Sequence, residues 1–347
     1  MSHKLSIFSQ LIRNKKPIQS GISLSYLLIF FQNLESQEVN GYDLVEIEGV
    51  STVVVESESY RENRASYCKQ RSNPNEVIWA EEFSSGKLDK EIWDYDVSNG
   101  FYDKGKFVYG WGNSELQYYR QGKTDQNTNE NLFIENGLLK IQPIHHRRAF
   151  QKEFDYTSAR IKTRNLKQFT YPSKITFCFK VPTGTGAWPA FWLMPEENIA
   201  WPQGGEIDIM EAKGRLTNIA GSALHFGEGF HNKDEIVQNI VIPPSVRFQE
   251  KFHSITMEWR EDSIQMFLDS ESKPYMTVKS DDEIFSKFSY PFNRNYYLII
   301  NVAVGGKYDD HRIDRAAFCL NSKCSNKDNP DDHRFLIDWI EYARLEP

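Results

Sequence analysis

Gly205-Glu206-Ile207-Asp208-Ile209-Met210-Glu211 alternates acidic and apolar residues, and the way it lies in a sheet sets the architecture. On a β-strand Glu206 and Asp208 share one face, while Ile207 and Ile209 face the other. Glu211 stands five residues from Glu206, an odd step that a regular strand would turn into the interior. Burying a lone carboxylate costs far more than admitting one extra residue, so the spacing predicts a β-bulge at Ile209-Met210. The strand then carries Glu206, Asp208 and Glu211 on one side and an apolar stripe on the other.

Working outward, Lys174–Lys180, Ile255–Trp259 and Tyr297–Val302 alternate with period two. Turn-forming segments such as Glu135-Asn136-Gly137 and Pro182-Thr183-Gly184-Thr185-Gly186 separate the short strands. No long amphipathic helix and no fixed-period repeat interrupts them. The expected class is all-β, two antiparallel sheets packed as a sandwich. Among 347 residues, 17 Tyr, 23 Phe and 8 Trp suit a pleated core and also offer flat faces for sugars.

The formal charge is −7 with no basic stripe, which excludes a nucleic-acid partner and favours a neutral polymer over a polyanion. A monomer is expected. Residues 1–36 read as a signal peptide or membrane-proximal leader: a basic lead (Lys4, Arg13, Lys15, Lys16), then the apolar run Ile22–Phe31, too short to span a bilayer. Residues 37–76 read as an extension or linker, with short strands at 45–50 and 52–56 and a polar stretch at 58–75. The third unit is 77–347. Cys319 and Cys324 flank a four-residue polar stretch, which leaves a local disulfide and two free thiols as equal readings; zinc with His311 and His333 is disfavoured.

Two carboxyls on one strand face suit a glycosidase that retains configuration, which needs them roughly 5–5.5 Å apart, one as nucleophile and one as acid/base. Extended backbone puts the Cα atoms of Glu206 and Glu211 about 13 Å apart, so the side chains must lean together. Mutual repulsion raises at least one pKa, as a general acid requires, and Asp208 sits between them. An exposed acidic face, or a cation site with oxygen ligands, is the plain alternative.

The flanking residues decide between these. Gly204–Glu211 resembles the signature of glycoside hydrolase family 16, in the bulged form of its laminarinase branch. Further similar segments follow in order: Trp79–Phe83, Gly110–Tyr119, Tyr156–Arg160, Gly186–Pro195, Leu224–Gly227, Asn301–Gly306 and Asp338-Trp339. The resemblance implies a concanavalin A-like jelly roll with a concave cleft that cleaves β-1,3-glucan internally. It implies Glu206 as nucleophile, Glu211 as acid/base and Asp208 as the assisting carboxylate. It also implies sugar contacts from Asn113, Arg160, Trp188, Trp192 and His225, which Trp201 joins from just upstream. The apolar run around Trp192 leaves a core position open for that ring. No cofactor is needed for the chemistry. A structural calcium on the convex face is implied, with Glu82 and Asp338 at the matching places. The charged, cysteine-bearing stretch 309–332 departs from the family pattern. The rival readings are a non-catalytic glucan-recognition protein and a related enzyme acting on mixed-linkage glucan or galactan.

Overall fold

The computed structural model describes residues 38–55, 67–68, 72–121, 130–151, 153–321, 324 and 327–345. The leader at 1–36 and most of the polar stretch 58–75 lie outside the described residues. The described chain is all-β, with only single-turn 3₁₀ segments between strands.

Two large sheets dominate. One has ten strands, in the order Glu38–Val39, Tyr42–Ile47, Val50–Val54, Asn232–Val241, Ile219–Gly229, Glu206–Glu211, Ala187–Pro195, Tyr296–Val304, Arg160–Lys162, Asp94–Tyr95. The other has eight, centred on Ser173–Lys180 and Phe335–Arg344. Alternating residues from both inner faces form one apolar core, as aligned sheet packing requires. Phe177 of the second sheet lies flat on Phe191 of the first, ring centroids 3.8 Å apart, and Trp259 meets Tyr296 edge-on. The jelly-roll sandwich read from the sequence is the fold observed.

Residues 38–55 do not behave as a linker. Tyr42–Ile47 and Val50–Val54 form a hairpin that pairs in parallel with Asn232–Val241 and extends the acid-bearing sheet. Its turn, Glu48-Gly49, has φ of 54° and 79°, the paired positive values of a tight two-residue hairpin. Val53 and Val55 are fully buried in the shared core. The sheet therefore begins at Glu38, well before residue 77.

Both cysteine pairs are disulfides. Cys319–Cys324 closes a local loop, and Cys68–Cys178, a pairing the spacing gave no sign of, ties the N-terminal segment to Ser173–Lys180 across a separation of 110 residues.

Candidate active site

The strand Glu206–Glu211 lies near the middle of the ten-stranded sheet and carries the bulge. Asp208 pairs with Ala223 and Glu211 with Gly221, so three steps on this strand oppose two on its neighbour. On the other side Asp208 faces Trp192 and Met210 faces Phe191, leaving Ile209 without a partner. Ile207, Ile209 and Met210 are all buried in the core, while Glu206 and Glu211 keep partial exposure on the opposite face. Ser222, a residue the sequence did not flag, secures the kink. Its buried Oγ donates to the Ile209 carbonyl at 2.7 Å. A hydroxyl has one proton, so the Tyr275 hydroxyl, 2.7 Å away, must donate to Ser222.

Cross-strand pairing sorts the site into rows, since directly paired residues face the same side. One row runs Glu206, His225, Glu235. A second joins Asp208 to Trp192. A third runs Arg160, Asn301, Ala190, Glu211, Gly221 and Asn239. Glu211 thus stands between alanine and glycine, the two smallest side chains.

Each glutamate has an indole donor. Trp188 Nε1 donates to Glu211 Oε1 at 2.7 Å, and Trp201 Nε1 to Glu206 Oε2 at 2.9 Å. Trp188 stacks on Tyr308, centroids 4.7 Å apart. His225 Nε2 lies 3.2 Å from Asp208 Oδ2 and 3.9 Å from Glu206 Oε1, and its Nδ1 lies 3.1 Å from Glu235 Oε2.

Burial, then the charge of Asp208, pushes both catalytic candidates up: Glu206 to about 7 and Glu211 to about 8. The Trp201 and Trp188 donors and the His225 charge pull the other way without cancelling the rise. Burial lowers the His225 pKa, but its contacts with Asp208 and Glu235 outweigh that and raise it to about 11. His225 is then an imidazolium at neutral pH. Glu206, Asp208 and His225 form the only cluster among the described residues with the composition and spacing of a metal site. An imidazolium presents no lone pair to a metal, so the cluster suits an internal ion pair better than a cation.

The remaining predicted contacts gather on one flank. Trp192 resolves toward the outer face, its Nε1 donating to Asn301 Oδ1 at 2.7 Å. The Arg160 guanidinium is sandwiched between the rings of Trp111 and Trp192, at 4.2 and 4.7 Å, and its Nε pairs with Asp96 Oδ2 at 2.8 Å. Asn113 is exposed on the adjoining loop. Its Nδ2 lies 3.4 Å from Glu115 Oε1, and its carbonyl accepts from Lys307 N at 2.8 Å. Gly306, with φ of 85°, allows the approach: a Cβ there would sit 3.0 Å from the Asn113 carbonyl and 3.4 Å from the Trp188 ring. Asp96, Trp111, Glu115 and Tyr308 were not singled out in the sequence. Trp111 and Glu115 lie inside the Gly110–Tyr119 segment, whereas Asp96 and Tyr308 had no local signal.

On the opposite side of the sandwich, Val77–Glu81 ends with Glu81 opposite Ile340, so Glu82 leaves the sheet beside the stretch that carries Asp338. Glu82 is exposed, and Asp338 Oδ2 accepts the Tyr67 amide at 2.9 Å. The two acids belong to no three-residue ligand cluster among the described residues.

Comparison with known proteins agrees with this geometry. Residues 106–341 match the family described as glycosyl hydrolases family 16. Glucan endo-1,3-beta-glucosidase A1 of Niallia circulans is 30% identical over 70% of this chain, and the match spans only 35% of that longer protein. A beta-glucanase of Rhodothermus marinus is 32% identical, covering 70% of this chain and 80% of its own. The solved endo-beta-1,3-glucanase of Pyrococcus furiosus superposes with a TM-score of 0.65 at 26% identity, over 88% of this chain and 99% of that one. A sandwich of this topology, acids held on a bulged strand and a match across most of the chain lead to one assignment: the chain belongs to glycosyl hydrolase family 16.

Proposed function

We propose that this chain is an endo-acting β-1,3-glucanase that works by retaining double displacement. The observation that carries the reading is the bulged strand, which sets Glu206 and Glu211 on one open face with Asp208 between them. The Glu206 carboxylate attacks the anomeric carbon as the glycosidic C–O bond breaks, and Glu211 gives its proton to the departing oxygen. Glu211, now ionised, takes a proton from water; that water attacks the same carbon and releases Glu206. Asp208 and the His225 imidazolium hold the charge balance around the nucleophile. Arg160, Trp192, Trp188, Trp201 and Asn113 line the face where a sugar chain would lie. The β-1,3 preference is supported by the names of the relatives, which act on that linkage.

Secretion through the 1–36 leader belongs to the same proposal, as a polymeric glucan must be met where it lies; no helix among the described residues is long and apolar enough to cross a membrane. So does a calcium near Glu82 and Asp338, completed by backbone carbonyls.

Incubation with laminarin tests the function. Reducing ends should appear as oligosaccharides of mixed length, and proton NMR should show the β-anomer before mutarotation. Glu206→Gln should lower the rate by at least about 10³-fold while laminarin binding persists. An α-anomer formed first, or an undiminished rate in that variant, would falsify the mechanism. Assays on lichenan and agarose separate the rival substrates.

A further inference from the structure

The acid flank of Glu211 faces the N-terminal hairpin, to which the assigned chemistry gives no task. Between them lies a small depression whose wall includes Ile47, Glu48, Lys213, Asn239, Tyr308 and Glu211 itself, with the Lys213 ammonium engaged by Glu48 at 3.5 Å and by the Tyr308 ring. Glu206 is not part of its wall. Asn239 sits in the same cross-strand row as Glu211, separated from it only by Gly221. Gly221 makes this geometry possible, since a Cβ there would fall 2.2 Å from Asn239 Oδ1. The amide therefore lies flat over the glycine on its way toward Glu211. Its side chain has no hydrogen-bond partner among the described residues, although it is half-buried.

The wall opposite is held firmly. Glu48, at the hairpin turn, pairs with Arg215 at 2.6 Å, and Arg215 pairs with the buried Asp309 at 2.7 Å. Asp309 follows Tyr308, whose ring stacks on the same Trp188 that donates to Glu211. One chain of contacts thus links the hairpin to the acid, and the hairpin lies outside the 106–341 segment that matches the family.

We propose that Asn239 and the hairpin Tyr42–Val54 form a binding subsite for the glucosyl unit on the leaving-group side of the scissile bond. The proposal rests on Glu211 being the acid: a sugar touching Glu211 but not Glu206 is the one whose oxygen receives the proton. An amide offers two donors and an acceptor, which matches the hydroxyls of a neutral hexose. Arg160, Trp192 and Asn113 occupy the other flank, so the polymer lies across the strands with Glu211 between its two halves.

Asn239→Ala tests this with two substrates. Laminarihexaose must place sugar units in the depression, whereas an aryl β-laminaribioside releases a phenol, a leaving group without sugar hydroxyls. The variant should lose roughly 5- to 10-fold in kcat/KM on the hexasaccharide, mainly through KM, as one hydrogen bond to a neutral group is removed. On the aryl glycoside it should stay within about twofold of the parent. Cleavage positions mapped by ¹⁸O labelling should shift toward the reducing end, where fewer units occupy the leaving side. An unchanged melting temperature shows that the fold is intact. Equal losses on both substrates, or no loss and no shift on the hexasaccharide, would overturn the subsite. A parent protein that cleaves neither substrate would instead sink the glucanase reading.

Discussion

At the level of single residues, the site is a problem of crowding acids without losing the fold. Burial and the neighbouring charge of Asp208 hold Glu206 and Glu211 above the usual carboxylate range, at about 7 and about 8. The native chain therefore binds more protons than the unfolded chain between about pH 4.5 and 8, and stability falls as pH rises through that window. His225, raised to about 11, adds to the same trend above its ordinary value. Replacing Asp208 by Asn removes a like charge from both glutamates, so both pKa values should fall. In pH profiles of kcat/KM, the alkaline limb of Asp208→Asn should move to lower pH, together with the acid limb. A profile unmoved from the parent's would show that Asp208 does not act on the pair electrostatically. Urea titrations across pH 5–8 should likewise give a shallower loss of stability in Glu211→Gln than in the parent. The three acids were legible in the sequence because strand alternation and the cost of a buried charge leave few arrangements. Their indole donors were named as sugar contacts, but the hydrogen bonds to the acids depend on rotamers that no spacing encodes.

Among the elements, the bulged strand is the one whose shape matters most. Its extra residue puts Ile209 and Met210 in the core together and returns Glu211 to the open face. The Ile209 carbonyl, freed from regular pairing, is satisfied by Ser222, and Ser222 by Tyr275. Ser222→Ala leaves two buried polar groups without partners, a cost of about 2–4 kcal/mol. Chemical denaturation should show that loss, and kcat should fall with it as Glu211 loses its fixed position. A variant as stable as the parent would mean that water or a shifted backbone replaces the relay. Periodicity predicted the bulge; it did not predict the relay, whose members lie 13 and 53 residues apart along the chain. The hairpin 42–54 was partly legible as strands, yet its place beside Asn232–Val241 follows from a parallel pairing across nearly 190 residues.

For the whole molecule, the sandwich holds one continuous core, and the N-terminal segment is bound into it twice: by the hairpin and by Cys68–Cys178. A crosslink spanning about a hundred residues stabilises by roughly 4–5 kcal/mol in the loop-entropy account. The proposed calcium belongs to this scale also, since it would sit on the face away from the chemistry. Chelation by EDTA should then lower Tm by a few degrees, about 2–4 °C per kcal/mol for a chain of this size, while the rate at 25 °C stays unchanged. Identical melting with and without chelator would remove the ion from the picture.

Strand alternation and the acid spacing by themselves determined an all-β sandwich with Glu206, Asp208 and Glu211 on one side of a single strand, because period-two patterning and carboxylate burial are local constraints. Tertiary structure alone decided that Arg160 lies between Trp111 and Trp192, that Ser222 and Tyr275 brace the bulge, and that the N-terminal hairpin walls the flank of Glu211. Those contacts join segments from distant parts of the chain, and which strands become neighbours is set by how the two sheets share their core, a property no single segment carries.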